Sequence, residues 1–372
     1  MRFPTLAVAI IVLCIFHPVQ AQENPPTLPL GSQAPDFNLL GVDGKNYSLA
    51  DFKKAKVLAV LFTCNHCPTA QAYEDRVIQL VRDYNNEGFA LVAISPNSEK
   101  GLLLSELGYS DMGDSYEDMQ IRHKDKGYNF PYLYDGDTQE TALKYGPVAT
   151  PHLFIFDEGR KLRYVGRLDA SEKPGTANAG DARSAIDALL SGKPVAKGQT
   201  KTFGCSVKWG WKVKYKEKTL KEWAEMEVGL EEINPAQIKE LIKNDSGKLR
   251  LINVWATWCG PCVAEFPDFI EIDRMYRGRD FEFVSISADR PEQKDRVLAF
   301  LKKKQASNKN YIFNSDDKYA LIEAIDPNWR GALPYTILVE PGGKIVYSQE
   351  GTIDVFKMKK TIVENPMLGR YY

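Results

Sequence analysis

Twice along its 372 residues the chain runs through one local pattern: an apolar strand-like run, a Cys-x-x-Cys, then a helix-like segment. The first copy is Val57-Leu58-Ala59-Val60-Leu61-Phe62 leading to Cys64-Asn65-His66-Cys67. The second is Leu251-Ile252-Asn253-Val254-Trp255 leading to Cys259-Gly260-Pro261-Cys262. A strand that delivers a polar turn to a helix start restricts each copy to an α/β layered arrangement. A helix N-terminus has unpaired N–H groups and a positive dipole end, and both stabilise a thiolate.

The rest of each half repeats as well. After the first cysteine pair come Phe89-Ala90-Leu91-Val92-Ala93-Ile94-Ser95, then Thr150-Pro151-His152-Leu153-Phe154-Ile155-Phe156 and Leu162-Arg163-Tyr164-Val165-Gly166. After the second come Phe281-Glu282-Phe283-Val284-Ser285-Ile286-Ser287, then Leu333-Pro334-Tyr335-Thr336-Ile337-Leu338-Val339 and Lys344-Ile345-Val346-Tyr347. Glycine-containing turns before the last run read as terminal hairpins. The order predicts two α/β domains, each with a central mixed sheet flanked by helices. Their expected bounds are residues 30–190 and 231–366, with a boundary segment over 191–230. Polar, glycine-containing material between Ser95 and Phe130 reads as an inserted helix and loop. The alternation Lys212-Val213-Lys214-Tyr215-Lys216 reads as a solvated strand face.

Residues 1–21 read as a secretion signal. Arg2 gives a positive start, Leu6 to Phe16 is apolar, and Val19-Gln20-Ala21 ends in small residues. The apolar run is shorter than the roughly 18 residues a membrane span needs. The expectation is an exported protein, periplasmic or secreted, that does not span a membrane once the signal is cut. Cys14 would be lost with it. A net charge of -1 gives no footprint for nucleic acid.

Cys64, Cys67, Cys205, Cys259 and Cys262 remain. Tight Cys-x-x-Cys loops add little stability by chain entropy, so redox reactivity is their expected use. The N-terminal cysteine of each pair is expected to be exposed and to attack as thiolate, with the C-terminal one deeper and resolving. Structural zinc would pair two such knuckles across roughly 15–20 residues, and Cys67 and Cys259 lie far beyond that spacing, so no metal and no cofactor is expected. His66, if protonated, stabilises the Cys64 thiolate; as a solvated side chain it does little. Glu265 lies one helical turn after Cys262, as a proton relay or as an acid that merely suits the helix dipole. Cys205, in Phe203-Gly204-Cys205-Ser206-Val207, reads as a buried small apolar side chain, with a resolving thiol as the other reading.

Both halves resemble the thioredoxin-like superfamily. Trp255-Ala256-Thr257-Trp258-Cys259-Gly260-Pro261-Cys262 is similar to the thioredoxin active-site sequence, and Glu265-Phe266-Pro267 to its exported TlpA-like branch. Gly31-Ser32-Gln33-Ala34-Pro35-Asp36-Phe37 and Phe62-Thr63-Cys64-Asn65-His66-Cys67-Pro68 resemble the redoxin (AhpC/TSA-like) group, without its peroxidatic cysteine pattern. The resemblance implies that Pro151 and Pro334 are cis-prolines facing the cysteine pairs, where the preceding backbone pairs with a substrate segment. It also implies that Asn253 and Leu58 stand where thioredoxins carry a buried acid. The function implied is thiol–disulfide exchange with protein thiols and disulfides, fed by an upstream redox partner such as a membrane reductase. The alternatives are a thiol-dependent peroxidase and a carrier of copper or an apocytochrome.

Overall fold

The computed structural model describes residues 24–85 and 87–370. The expected signal at 1–21, with Cys14, lies outside the described residues. Among the described residues no helix is long and apolar enough to cross a membrane.

The chain forms two mixed sheets, each flanked by helices. The first is built from β1 (Asn38–Gly41), β2 (Asn46–Ser48), β3 (Val57–Phe62), β4 (Phe89–Ser95), β5 (Tyr132–Tyr134), β6 (His152–Phe156) and β7 (Leu162–Gly166). Their order across the sheet is β2-β1-β5-β4-β3-β6-β7. β3, β4 and β5 run parallel, β6 pairs antiparallel with β3, and β7 pairs antiparallel with β6 at the edge. The second sheet holds β8 (Glu231–Ile233), β9 (Leu249–Trp255), β10 (Phe281–Ser287), β11 (Lys309–Phe313), β12 (Tyr335–Glu340) and β13 (Lys344–Glu350), in the order β13-β12-β9-β10-β11-β8. Thus β3 and β9, the strands that lead to the cysteines, are central in their sheets.

Central position explains the composition of these strands. β3 is buried at every residue, as a strand covered on both faces must be. Val57, Ala59 and Leu61 enter one core cluster; Leu58, Val60 and Phe62 enter the other. β9 divides likewise, with Leu249, Leu251 and Trp255 on one side and Ile252 and Val254 on the other. The helix after β8 starts at Pro235, and the Asn234 side chain accepts from the Gln237 N–H. Proline at the first helical position and asparagine before it suit a helix start.

Two stretches differ from the sequence expectation. Val213–Ala224 is an α-helix, so the lysine alternation at Lys212–Lys216 is the start of a helix and not a strand face. Local alternation over five residues is too short to separate period 2 from period 3.6. The stretch before that helix is packed against the first sheet. Val207 and Trp209 are buried with Leu58, Val60 and Phe62, and Trp209 stacks on Trp211 at 4.5 Å. Gln199 bridges to Val165, and Cys205 to Thr150.

The insertion between β4 and β5 includes the helix Tyr116–Lys126. It also joins the halves. Leu102 and Leu107 lie in the second sheet's core cluster with Phe269 and Tyr276. The Tyr276 hydroxyl donates to the Ser110 carbonyl at 2.7 Å, and Arg279 donates to the Gly108 carbonyl at 2.7 Å.

Candidate active site

β9 delivers Cys259 to the start of the helix Gly260–Tyr276, where it is the N-cap. The Cys259 sulfur accepts from the Cys262 N–H at 3.3 Å, and the two cysteines are joined as a disulfide. Cys259 is 6% exposed, buried rather than the open thiol the sequence led us to expect, and Cys262, at 1%, lies deeper as expected. Trp258, directly before the pair, is 60% exposed, an apolar surface beside a reactive bond. The Leu333–Pro334 bond is cis. Among the described residues no main-chain hydrogen bond is made by Leu333.

Glu265 is buried on this helix. One carboxylate oxygen accepts from the Ile353 N–H at 3.0 Å, and the other is buried without a partner. Burial raises its pKa to about 7, against the lowering effect of the Ile353 N–H. Asn253, on β9, donates to Thr336 at 3.1 Å. With Leu58 apolar and fully buried at the corresponding place in β3, Glu265 is the buried acid that titrates near neutrality on the cysteine helix.

The first site is built differently. The helix after β3 begins at Pro68, and its N-cap is Cys67 rather than Cys64. Cys64 therefore sits in the turn ahead of the helix. It is 3% exposed, not the open thiol the sequence led us to expect. Its sulfur lies 3.1 Å from the Thr150 hydroxyl. Burial raises the Cys64 pKa well above the usual thiol value, and a hydrogen bond to Cys67 and the charge of Asp114 add to this. Cys67 goes the other way. Burial opposes ionisation, yet hydrogen bonds from the Cys205 and Cys64 thiols and the charge of His66 bring its pKa well below the usual value. The Cys205 N–H also donates to the Cys67 sulfur at 3.3 Å. As a thiol, Cys67 donates to the Thr150 carbonyl at 3.1 Å. The Cys205 N–H and the Ala70 main chain on the Cys67 sulfur outnumber that one carbonyl, so the thiolate is favoured at Cys67 rather than Cys64.

His66 is buried, not solvated. Its Nδ1 pairs with Asp114 at 2.6 Å. Burial lowers the His66 pKa, but the adjacent Asp114 carboxylate more than compensates and the net shift is upward. Asp114 also accepts from the Asn65 and His66 N–H groups and from the Asn97 side chain. Asp114 and Thr150 escaped the sequence reading. Asp114 lies far from the cysteines in sequence, and only the fold of the insertion brings it beneath them. The second half carries a similar support, in which Asp289 accepts from the Thr257 N–H and hydroxyl ahead of Cys259.

Cys205 joins the first pair. With Ala70, the side chains of Cys64, Cys67 and Cys205 form one cluster, and Cys205 is its partly exposed member. The Thr150–Pro151 bond is cis. Thr150 and Cys205 exchange both main-chain hydrogen bonds, at 2.9 and 3.2 Å. Cys64, His66 and Asp114 also present ligand atoms within 4.8 Å of one another, all buried. With Nδ1 held by Asp114, the Nε2 of His66 is left buried and unpartnered.

Comparison with known proteins agrees with the repeat. Residues 30–165 match the AhpC/TSA family and residues 236–362 match the Redoxin family. Thiol-disulfide oxidoreductase ResA of Bacillus subtilis is 30% identical over 124 residues, covering 33% of this chain and 64% of that protein. Thiol:disulfide interchange protein CycY of Rhizobium leguminosarum is 29% identical over 124 residues, 32% of this chain and 58% of that protein. The chain thus spans less than two thirds of the length of these relatives. Among solved structures, an uncharacterized conserved protein from Geobacillus kaustophilus is 38% identical, with TM-score 0.45, covering 50% of this chain and 95% of that one. The hypothetical protein SMc02350 from Sinorhizobium meliloti is 34% identical, with TM-score 0.44, covering 50% of this chain and 98% of that one.

Proposed function

Starting from a chain that is a tandem of two thioredoxin-like halves, one matching the AhpC/TSA family and one the Redoxin family, we propose an exported thiol–disulfide oxidoreductase. The domains are residues 30–190 and 231–366. Residues 1–21 direct export, the setting is periplasmic or secreted, and an upstream reductase keeps the cycle turning. The clients are proteins. The observation that carries this reading is the disulfide Cys259–Cys262 at a helix start, directly preceded by exposed Trp258.

In the reduced state the Cys259 thiolate, held by the Cys262 N–H and the helix dipole, attacks a client disulfide. A mixed disulfide forms and one client thiolate leaves. Cys262 then attacks the Cys259 sulfur, the second client thiolate leaves, and the Cys259–Cys262 bond closes. Two electrons pass from the pair to the client. Glu265, titrating at about 7, takes the proton that Cys262 gives up as it attacks. An extended client segment docks on the Leu333 backbone beside Pro334.

Cys259→Ser in the full chain should abolish dithiol-driven reduction of insulin, and Cys262→Ser should trap clients as mixed disulfides. Wild-type insulin reduction by Cys259→Ser would refute the reading. A second reading, a copper carrier, is favoured by one observation: the unpartnered His66 Nε2 in a cluster with Cys64 and Asp114. A carboxylate on the far ring nitrogen is a common arrangement for a metal-binding histidine. Stoichiometric Cu(I) uptake that Cys64→Ser removes would support it; equal uptake by that variant would not.

A further inference from the structure

The two sites differ in one respect that their sequences conceal. At the second site the residue before the cis-proline, Leu333, makes no main-chain hydrogen bond among the described residues. At the first, both backbone groups of the matching residue, Thr150, are taken by Cys205. The pairing is antiparallel and lies beside Cys67, which accepts the Cys205 N–H. Gly204 is needed for this approach. Its φ is +140°, and a Cβ there would lie 2.1 Å from the Thr150 carbonyl oxygen. Val207 and Trp209 anchor the far end of the segment in the core.

We propose that residues 203–207 are a resident substrate strand of the first site, and that its working disulfide is Cys67–Cys205 rather than Cys64–Cys67. This rests on the first site being a thiol–disulfide site. A strand already seated on Thr150 keeps protein clients out, so the partner is a small disulfide. Cys64 and Cys67 are 3% and 0% exposed, which makes the partly exposed Cys205 the sulfur that an outside disulfide meets.

The exchange balances as follows. Cys205 passes its thiol proton to the Cys67 thiolate as it attacks a small disulfide RSSR. The Cys205–SR bond forms, the RS–SR bond breaks, and RS⁻ leaves. That RS⁻ takes the proton back from Cys67, giving RSH. The Cys67 thiolate attacks the Cys205 sulfur, the Cys67–Cys205 bond forms, and a second RS⁻ departs. Cys67 and Cys205 together lose two electrons, and RSSR gains them. Cys64 keeps its proton throughout and, with Thr150, holds the Cys67 sulfur in place.

The test is disulfide mapping in the full chain. The protein is fully reduced, oxidised with glutathione disulfide, quenched with N-ethylmaleimide, digested, and the links are located by fragment mass spectrometry. The expected product joins Cys67 to Cys205 and leaves Cys64 alkylated. A Cys67–Cys205 share below half of the first-site disulfide overturns the proposal. Cys205→Ser should lose the first-site disulfide, and a Cys64–Cys67 link formed in that variant to the extent of the wild-type first-site disulfide has the same overturning force. The wild-type map needs no variant to fold. Neither result touches the insulin assay of Cys259→Ser, so this proposal and the general oxidoreductase reading fail separately.

Discussion

At the scale of the residue, the two Cys-x-x-Cys motifs differ in which cysteine stands at the helix start. Cys259 and Cys67 each cap a helix, yet they occupy opposite places in their Cys-x-x-Cys motifs. That difference was not legible in the sequence, where the two motifs look alike. The cysteines themselves and the histidine between the first pair were legible. What His66 does depends on Asp114, and no local spacing connects the two. Glu265 was legible as a candidate relay, and its burial gives it a measurable consequence. Its pKa is raised from an ordinary 4.5 to about 7. Between those values the folded chain binds a proton that the unfolded chain does not. This contribution to stability is therefore full below about pH 4.5 and is lost as pH rises through 7. Glu265→Gln should flatten the fall in stability between those pH values, read from urea midpoints. An unchanged pH slope would show that Glu265 titrates in the folded state as it does in the unfolded chain.

At the scale of the element, the strands before each cysteine pair and the closing hairpins were readable because buried central strands are apolar throughout. The helix at Val213–Ala224 and the docking of residues 199–211 were not. Their residues are mixed in polarity, and what places them is a long-range contact with Thr150 and the core beneath Trp209. Gly204 is the residue on which that docking turns. Gly204→Val should unseat the strand, because its Cβ collides with the Thr150 carbonyl and its φ is disfavoured for a branched residue. We expect a loss of about 1–3 kcal/mol in unfolding free energy and faster alkylation of Cys205. A variant as stable as wild type, with Cys205 no more reactive, would mean that the segment is held elsewhere.

At the scale of the whole molecule, the two sheets are not independent bodies joined by a string. Leu102 and Leu107, from the insertion in the first half, are part of the second half's core. The same insertion supplies Asp114 to the first site. A core substitution here should be felt on both sides. Leu107→Ala should cost about 2–5 kcal/mol and lower the stability of both halves together, as measured by hydrogen exchange in β3 and β9. Loss confined to β9 would mean that the insertion serves the second half alone.

The central claim is that one chain holds two thiol–disulfide couples in different electrostatic surroundings. At the first, the charge of His66, itself paired with Asp114, acts to lower the Cys67 pKa, whereas Gly260 and Pro261 lend no ionisable group to the second. Stabilising a thiolate favours the reduced form, and about 30 mV corresponds to roughly 1.4 kcal/mol for a two-electron couple. The direct measurement is to equilibrate the full chain in graded glutathione buffers, trap free thiols, and follow each site by mass spectrometry, with His66→Ala alongside. The account requires two reversible couples, the first at the more oxidising potential, moving toward the second when His66 is removed. Equal potentials in the wild type, or no shift in His66→Ala, would contradict it.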